Sequence, residues 1–210
     1  MTSILIADDH PMVRAGIRQF LEEDDTIDRI GEAASGNEVL ERLRAFPWTV
    51  VLLDINMPDR NGMDILPHIC ASYSDTKVLV VSALPDHLYA FRALKAGAMG
   101  FIPKQCAGDE LIHAIHEVLN GRHFLNPELA ATLLFDLNKD QHNLLHRRLS
   151  DREFQIFCKI AAGRTVTSIG NELFLSEKTV STYRRRILDK MCVHTNADLT
   201  AYAVRNGIMP

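Results

Sequence analysis

The sequence predicts an α/β doubly wound unit with a five-stranded parallel sheet, followed by a smaller all-α unit built on a helix-turn-helix. Three observations predict it. Over the first 121 residues, five short apolar runs alternate with five helix-period segments. From Ser150 onward the periodicity is helical throughout, with capping residues and one tight turn between helices. The charge divides at the same place. Residues 1–121 carry 18 acidic and 10 basic side chains, a balance of −8, whereas residues 147–210 carry 6 and 11, a balance of +5. An acidic front and a basic back imply a polyanionic partner for the back unit only.

The strand runs are Ser3–Ala7, Arg29–Ala33, Val50–Leu53, Val78–Val81 and Gly100–Ile102. Most are rich in Ile, Val and Leu without strict alternation, the pattern of strands buried on both faces of a parallel sheet. The helix-period segments are Met12–Glu22, Asn37–Arg44, Met63–Ala71, Asp86–Lys95 and Asp109–Leu119. This α/β unit is expected over residues 1–121. Residues 122–147 read as a linker carrying one amphipathic piece, Pro127–Leu137, and a polar run at 138–143. His142 and His146 have a helical metal spacing but no third ligand, so a solvated linker is expected there. Residues 148–210 form the second unit.

At 210 residues, 47 % of them apolar, the chain can fill two cores. No run approaches the roughly eighteen apolar residues of a membrane span. The N-terminus meets Asp8, Asp9 and His10 before any run of signal-peptide length. A cytoplasmic protein with no membrane partner is expected. The four cysteines form no C-x-x-C pair, so reduced thiols within the packing are expected.

The strand ends carry the chemistry. Strand one runs into Asp8-Asp9, strand three into Asp54, strand four into Ser82 and strand five into Lys104. In an open parallel sheet, ligands lie outside the carboxyl ends of the strands, so these residues face one crevice. Clustered carboxylates repel one another until a hard cation relieves them, and Mg²⁺ suits such a site because it binds few carboxylates and keeps its waters. A carboxylate can act as a nucleophile toward phosphorus. Lys104 suits a point-charge contact to phosphate, and the Ser82 hydroxyl can donate to a phosphoryl oxygen.

The strings Ile4-Leu5-Ile6-Ala7-Asp8-Asp9-His10-Pro11, Asp54-Ile55-Asn56-Met57-Pro58 with Gly62, Ser82-Ala83 and Gly100-Phe101-Ile102-Pro103-Lys104 resemble the receiver domain of two-component response regulators. The resemblance covers residues 2–121 and implies a flavodoxin-like fold. It implies Asp54 as phosphoacceptor and Asp8, Asp9, Asp54 and the Asn56 backbone carbonyl as Mg²⁺ ligands. Ser82 and Lys104 become the switch hydroxyl and the phosphate-binding lysine. Phe101 stands where the family often has Tyr, keeping a ring that can swing inward and losing the hydroxyl. Pro58 and Gly62 would shape the loop after Asp54 through a fixed φ and a positive φ. Leu84, two residues past the switch hydroxyl, cannot orient a water, so slow self-dephosphorylation is expected.

In the back unit, Ser150-Asp151-Arg152-Glu153 is a capping box, and the helix it opens ends at Gly163. A short helix over Val166–Phe174, a turn at Leu175-Ser176 and a helix from Glu177 to Met191 follow, then a last helix over Ala197–Asn206. Val180, Ile187, Leu188 and Met191 form the inward stripe of the third helix. Lys178, Ser181, Thr182, Arg184, Arg185 and Arg186 are expected to be exposed, the layout of a helix that reads DNA. The segments Leu149–Glu153, Gly163 and Leu175–Val180 resemble the LuxR-type domain of the NarL/FixJ regulators, and Phe174–Lys190 looks closest to BvgA-like members. That resemblance implies Lys178, Thr179 and Tyr183 near the phosphate backbone and Ser181, Thr182 and Arg185 near bases, with Arg184 expected on phosphates. It also implies a homodimer through Leu199, Ala203 and Val204, reading a pseudo-palindromic promoter site.

The expected function is a DNA-binding transcriptional regulator, phosphorylated on Asp54 by a sensor histidine kinase with Mg²⁺ and not itself an enzyme. Two rivals are a regulator of the same fold that ignores phosphorylation and an aspartyl-phosphate phosphatase. The second wants an acidic residue two positions after the nucleophile, where this chain has Asn56.

Overall fold

The computed structural model describes residues 1–83, 86–106, 108–131 and 144–208. It divides into two compact units, Met1–Leu137 and Asn138–Pro210. The first holds a parallel sheet in the order β2-β1-β3-β4-β5-β6. Its strands are β1 Ser3–Ala7, β2 Arg29–Ala33, β3 Val50–Leu53, β4 Lys77–Ser82, β5 Gly100–Pro103 and β6 Phe124–Leu125. The helices between them are α1 Pro11–Glu22, α2 Gly36–Ala45, α3 Gly62–Ser72, α4 Asp86–Lys95 and α5 Gly108–Leu119. Strand order reverses between β1 and β3, and a crevice opens at such a switch point beyond the carboxyl ends of the strands.

Buried side chains alternate to the two faces of the sheet. Ile4, Ile6, Val50, Leu52, Leu79, Val81 and Ile102 pack with Ile17 and Leu21 of α1 and with Leu111, Ala114, Ile115 and Val118 of α5. Burial of this kind stabilises at about 25 cal/mol for each Å² of apolar surface removed from water.

Two features differ from the expectation. The sheet has six strands, because Phe124–Leu125 pairs with Gly100 and Phe101. Two residues carry no periodicity, but Gly100 hints at the close approach: a Cβ there would lie 2.5 Å from the Phe124 carbonyl oxygen. Strand β2 is an edge strand and is only partly buried. It carries Glu32 on its surface, where the carboxylate pairs with Arg14 at 2.9 Å and Arg18 at 2.7 Å. Of the expected Pro127–Leu137 piece, residues 127–131 are helical. Its remainder, the polar run 138–143 with His142, and Leu84 lie outside the described residues.

The described residues of the second unit hold a 3₁₀ turn, Leu145–Arg148, followed by α6 Asp151–Ala161, α7 Val166–Leu173, α8 Glu177–Met191 and α9 Asn196–Arg205. Helix α9 packs on α6, and α8 packs on α6 and α7. His146 is not a solvated linker residue. Its Nδ1 lies 3.0 Å from the Tyr202 hydroxyl, and its ring sits 5.9 Å from that of Phe154, so aromatic packing draws the segment onto the helices.

Each helix start is written locally. Ser150, Thr165, Ser176 and Thr195 all accept a backbone N–H of the first turn on a side-chain oxygen. Gly163, with φ of 76°, closes α6 as expected. Phe174 ends α7 at φ 55°, a left-handed position held here by a non-glycine residue.

Glu153 ties this unit together. It is 4 % exposed, and its Oε2 accepts from the Ser150 N–H at 2.8 Å and from Lys190 Nζ at 2.6 Å, joining α6 to the end of α8. Burial works against its ionisation, but the Lys190 ammonium and the Ser150 amide outweigh that and hold its pKa below the usual glutamate value. Lys190 is 43 % exposed and can turn to water when abandoned, which limits the loss. Glu153→Gln is expected to destabilise the unit by about 1–2 kcal/mol. Because the folded-state pKa is lowered, the difference is present above the unfolded value and shrinks as pH falls through the folded one. Amide exchange of α6 and α8 at pH 7 and pH 4 measures both.

Candidate functional site

The sheet brings the four strand ends level. The Asp8 N–H donates to Ala33 O at 3.1 Å, the Asp54 N–H to Ala7 O at 2.8 Å and the Lys104 N–H to Ser82 O at 2.9 Å, so the ladder continues one residue past the strands. Asp8 and Asp54 are each 2 % exposed and Ser82 is fully buried. Lys104 Nζ lies 2.6 Å from Asp8 Oδ2 and 2.9 Å from Asp54 Oδ2, bridging two strand ends. The Arg14 guanidinium, held by Glu32, donates to the Asp8 carbonyl at 2.8 Å and steadies the acidic turn from behind.

Burial is the main influence on Asp54 and raises its pKa. Lys104 pulls it back, the neighbouring Asp8 charge adds to the rise, and the Asn56 N–H lowers it slightly, leaving about 6. Burial also works against the Lys104 ammonium, but Asp54 and Asp8 prevail and its pKa is raised, so it stays charged. Asp54 Oδ2, paired with the Lys104 ammonium at 2.9 Å, and Asp9 Oδ1, 2.6 Å from His10 Nδ1, are buried carboxylate oxygens that accept no hydrogen bond. These are oxygens that a cation would satisfy, and the donor set of Asp8, Asp9 and Asp54 is the kind Mg²⁺ takes.

The loop after Asp54 is folded back on itself. Gly62 N–H donates to Ile55 O at 2.9 Å, and Asn61, 5 % exposed, caps α3 through the Met63 N–H at 2.8 Å. The expected positive φ at Gly62 is not what the loop uses. The left-handed residue is Asp59, at φ 64°. Glycine is required at 62 for space, since a Cβ would lie 2.0 Å from the Asp54 carbonyl oxygen.

Phe101 is fully buried, with its ring already inside the unit. Cys106, two residues past Lys104, has its thiol pushed up to about 11 by burial and by Glu110, the opposite of a reactive thiolate. His10 is the site residue the sequence reading passed over. Its Nδ1 stands 2.6 Å from Asp9 Oδ1 and 3.2 Å from Asp8 Oδ1. Direct adjacency to Asp8-Asp9 was the available signal.

In the second unit, Val180, Ile187 and Met191 anchor α8, while Leu188 is half-buried rather than fully inward. Lys178, Ser181, Thr182, Arg185 and Arg186 are exposed; Thr179 and Tyr183 are half-buried. Arg184 is half-buried too, contrary to expectation, because its Nε donates to Asn196 Oδ1 at 2.6 Å. The Thr182 hydroxyl donates to Lys178 O at 2.9 Å. Of the three residues expected at a dimer contact, Leu199 and Ala203 are fully buried within their own unit, where α9 packs on α6. Only Val204, 52 % exposed, is available to a second copy.

Fold and site together define a receiver followed by a helix-turn-helix unit. Comparison with known proteins agrees for each part. Residues 4–116 match the response regulator receiver domain, and residues 147–203 match the bacterial regulatory proteins of the luxR family. Response regulator GacA of Pseudomonas protegens is 35 % identical over 209 residues, covering 100 % of this chain and 98 % of GacA. Response regulator UvrY of Escherichia coli K12 is 33 % identical, covering 99 % of this chain and 96 % of UvrY. Among solved structures, RcsB of Salmonella enterica serovar Typhimurium, bound to promoter rprA with the phosphomimetic BeF3⁻, aligns with a TM-score of 0.65 at 25 % identity, covering 96 % of this chain and 97 % of RcsB. The chain belongs to the LuxR-type response regulators, transcription regulators that join a receiver to a DNA-binding domain. Among the described residues no helix is long and apolar enough to cross a membrane.

Proposed function

We propose that Asp54 accepts a phosphoryl group from a sensor histidine kinase and that this modification promotes DNA binding by the second unit. The observation that carries the reading is the buried Asp54 carboxylate, 2.9 Å from Lys104 and level with Asp8 and Asp9. An Asp54 oxygen forms the new bond to phosphorus as the bond from phosphorus to the donor histidine nitrogen breaks, and the leaving imidazole takes a proton. Lys104 turns its charge onto a phosphoryl oxygen. The Ser82 hydroxyl donates to a second one, and the inward ring of Phe101 fills the space Ser82 leaves. Asp8, Asp9, Asp54 and the Asn56 carbonyl would hold Mg²⁺, which supplies neutralisation of phosphoryl charge when bound. The reaction stops at the acyl phosphate, apart from slow hydrolysis, because Asn56 offers no acid where a phosphatase needs one.

The RcsB complex, solved on promoter DNA with BeF3⁻, supports the link from acceptor to DNA. The partners are promoter DNA of pseudo-palindromic sequence and a second copy of the chain, paired around Val204. Treating wild type and Asp54→Ala with acetyl phosphate and Mg²⁺ tests this, with promoter affinity and solution mass as readouts. Wild type is expected to gain 80 Da, about tenfold or more in affinity, and mass as a dimer; Asp54→Ala gains none of these. Equal gains in both would refute it.

The DNA face makes its own prediction. Lys178→Ala is expected to weaken binding on every sequence and lower the salt slope by about one unit. Arg185→Ala should relax preference at one base position, worth about 1–3 kcal/mol. Salt-dependent titrations on operator and random DNA separate the two.

A further inference from the structure

The geometry points to a metal site in which His10 is a ligand beside Asp8, Asp9 and Asp54, so that borderline first-row ions such as Co²⁺ are held in preference to Mg²⁺. The inference rests on the receiver reading of this crevice and deepens it by naming the class of ion.

His10 lies between the acidic end of β1 and Pro11, the first residue of α1. Its backbone N–H donates to Asp8 Oδ1 at 2.9 Å, which turns the residue back toward the carboxylates. The ring then stands with Nδ1 2.6 Å from Asp9 Oδ1 and 3.2 Å from Asp8 Oδ1. One ligand atom from each of Asp8, Asp9, His10 and Asp54 lies within 4.8 Å of all the others. Octahedral ligands about 2.1 Å from a cation are about 3.0 Å apart as neighbours and about 4.2 Å apart across the ion. The 2.6 and 3.2 Å separations of His10 Nδ1 from Asp9 and Asp8 are of neighbouring-ligand size, and the wider limit of 4.8 Å means that the set would have to draw in around an ion.

A second observation points to a ligand in the same place. Asp54 is 2 % exposed, and its Oδ2 has the Lys104 ammonium 2.9 Å away as an ion-pair partner but accepts no hydrogen bond. His10 itself is 63 % exposed at the side chain, which leaves an ion and its waters a way in. Lys104 approaches Asp8 through Oδ2, whereas His10 faces Oδ1, so the two do not compete for one oxygen.

An imidazole nitrogen alters what the site prefers. Oxygen-only sites suit Mg²⁺, while nitrogen donors favour later first-row ions in the order Mn²⁺, Fe²⁺, Co²⁺, Ni²⁺. The crevice therefore accepts Mg²⁺ through its carboxylates and gains most from an ion that also binds His10.

The test uses the full-length, EDTA-stripped chain. Co²⁺ and Mg²⁺ are titrated by calorimetry, and the Co²⁺ visible absorption is recorded, for wild type, His10→Ala and His10→Gln. Wild type is expected to bind Co²⁺ about tenfold or more tighter than Mg²⁺, and both substitutions should reduce that ratio about tenfold and shift the visible band. A ratio unchanged by either substitution, or restored by His10→Gln, overturns the inference and leaves His10 as a hydrogen-bond donor to the acids. Phosphorylation of wild type by acetyl phosphate in Mg²⁺ is scored in parallel. If Asp54 is modified and the ratio does not move, the inference fails alone; if Asp54 is not modified, the receiver reading fails and the ratio still decides the role of His10.

Discussion

Gly62→Ala is expected to destabilise the receiver unit by about 3 kcal/mol or more and to abolish phosphorylation of Asp54. The added methyl would sit 2.0 Å from Asp54 O, 2.9 Å from Asp54 C and 3.0 Å from Ile55 Cα. All three atoms belong to the backbone, so no side chain can rotate away. Either the start of α3 or the end of β3 must move, and the latter leads directly into Asp54. Gly163→Ala is the useful contrast. There φ is 76° but nothing lies within 4 Å of the new Cβ, so the loss should be limited to the left-handed strain, about 1 kcal/mol. The chain has one tryptophan, and Trp48 is buried in the receiver unit, so its fluorescence in urea reports that unit by itself, while amide exchange of α6 and α8 reports the unit that holds Gly163. Mass measurement after acetyl phosphate treatment reports the modification proposed for Asp54. A Gly62→Ala protein with unaltered midpoint and full phosphorylation would refute the account.

Asp54→Asn should act in the opposite direction on stability. Burial raises the Asp54 pKa from 3.8 to about 6, so the folded metal-free protein binds a proton that the unfolded chain releases earlier. Below the unfolded value both states are protonated and the group is neutral in effect. As pH rises through the window from 3.8 to about 6, the unfolded state is favoured progressively, and above it the full penalty applies. A shift of about two units corresponds to roughly 3 kcal/mol. Asn removes the ionisation and keeps the shape. In EDTA, Asp54→Asn is therefore expected to be more stable than wild type by roughly 2–3 kcal/mol at pH 7.5, with the gap closing near pH 4. Adding Mg²⁺ should narrow the gap at pH 7.5 by stabilising wild type. Equal stability at both pH values would show that the crevice does not penalise the charge.

These two effects belong to different levels of legibility. That Asp8, Asp9, Asp54, Ser82 and Lys104 gather at one edge of the sheet was readable because each follows or ends a short apolar run, and the rule that ligands lie beyond strand ends needs only the order of elements. The helix starts were equally plain, since Ser150 and Ser176 cap through atoms three residues away. Strand β6 was not, because two residues have no period. His10 was adjacent to the acids in sequence, but adjacency does not say which way a ring turns.

The sequence by itself determined the two-unit order, the α/β and helical classes, the polar strand ends and the basic third helix, because periodicity, capping and charge are local or additive. The tertiary structure decided which side chains remain free to act. It occupied Arg184 with Asn196, buried Leu199 and Ala203 under their own helix, and left Val204 outside. It assigned Gly62 to a steric constraint rather than a turn conformation. It also turned His10 toward Asp8 and Asp9. Each of these depends on contact between segments far apart in the chain or on the direction of a side chain, and neither is encoded in spacing along the sequence.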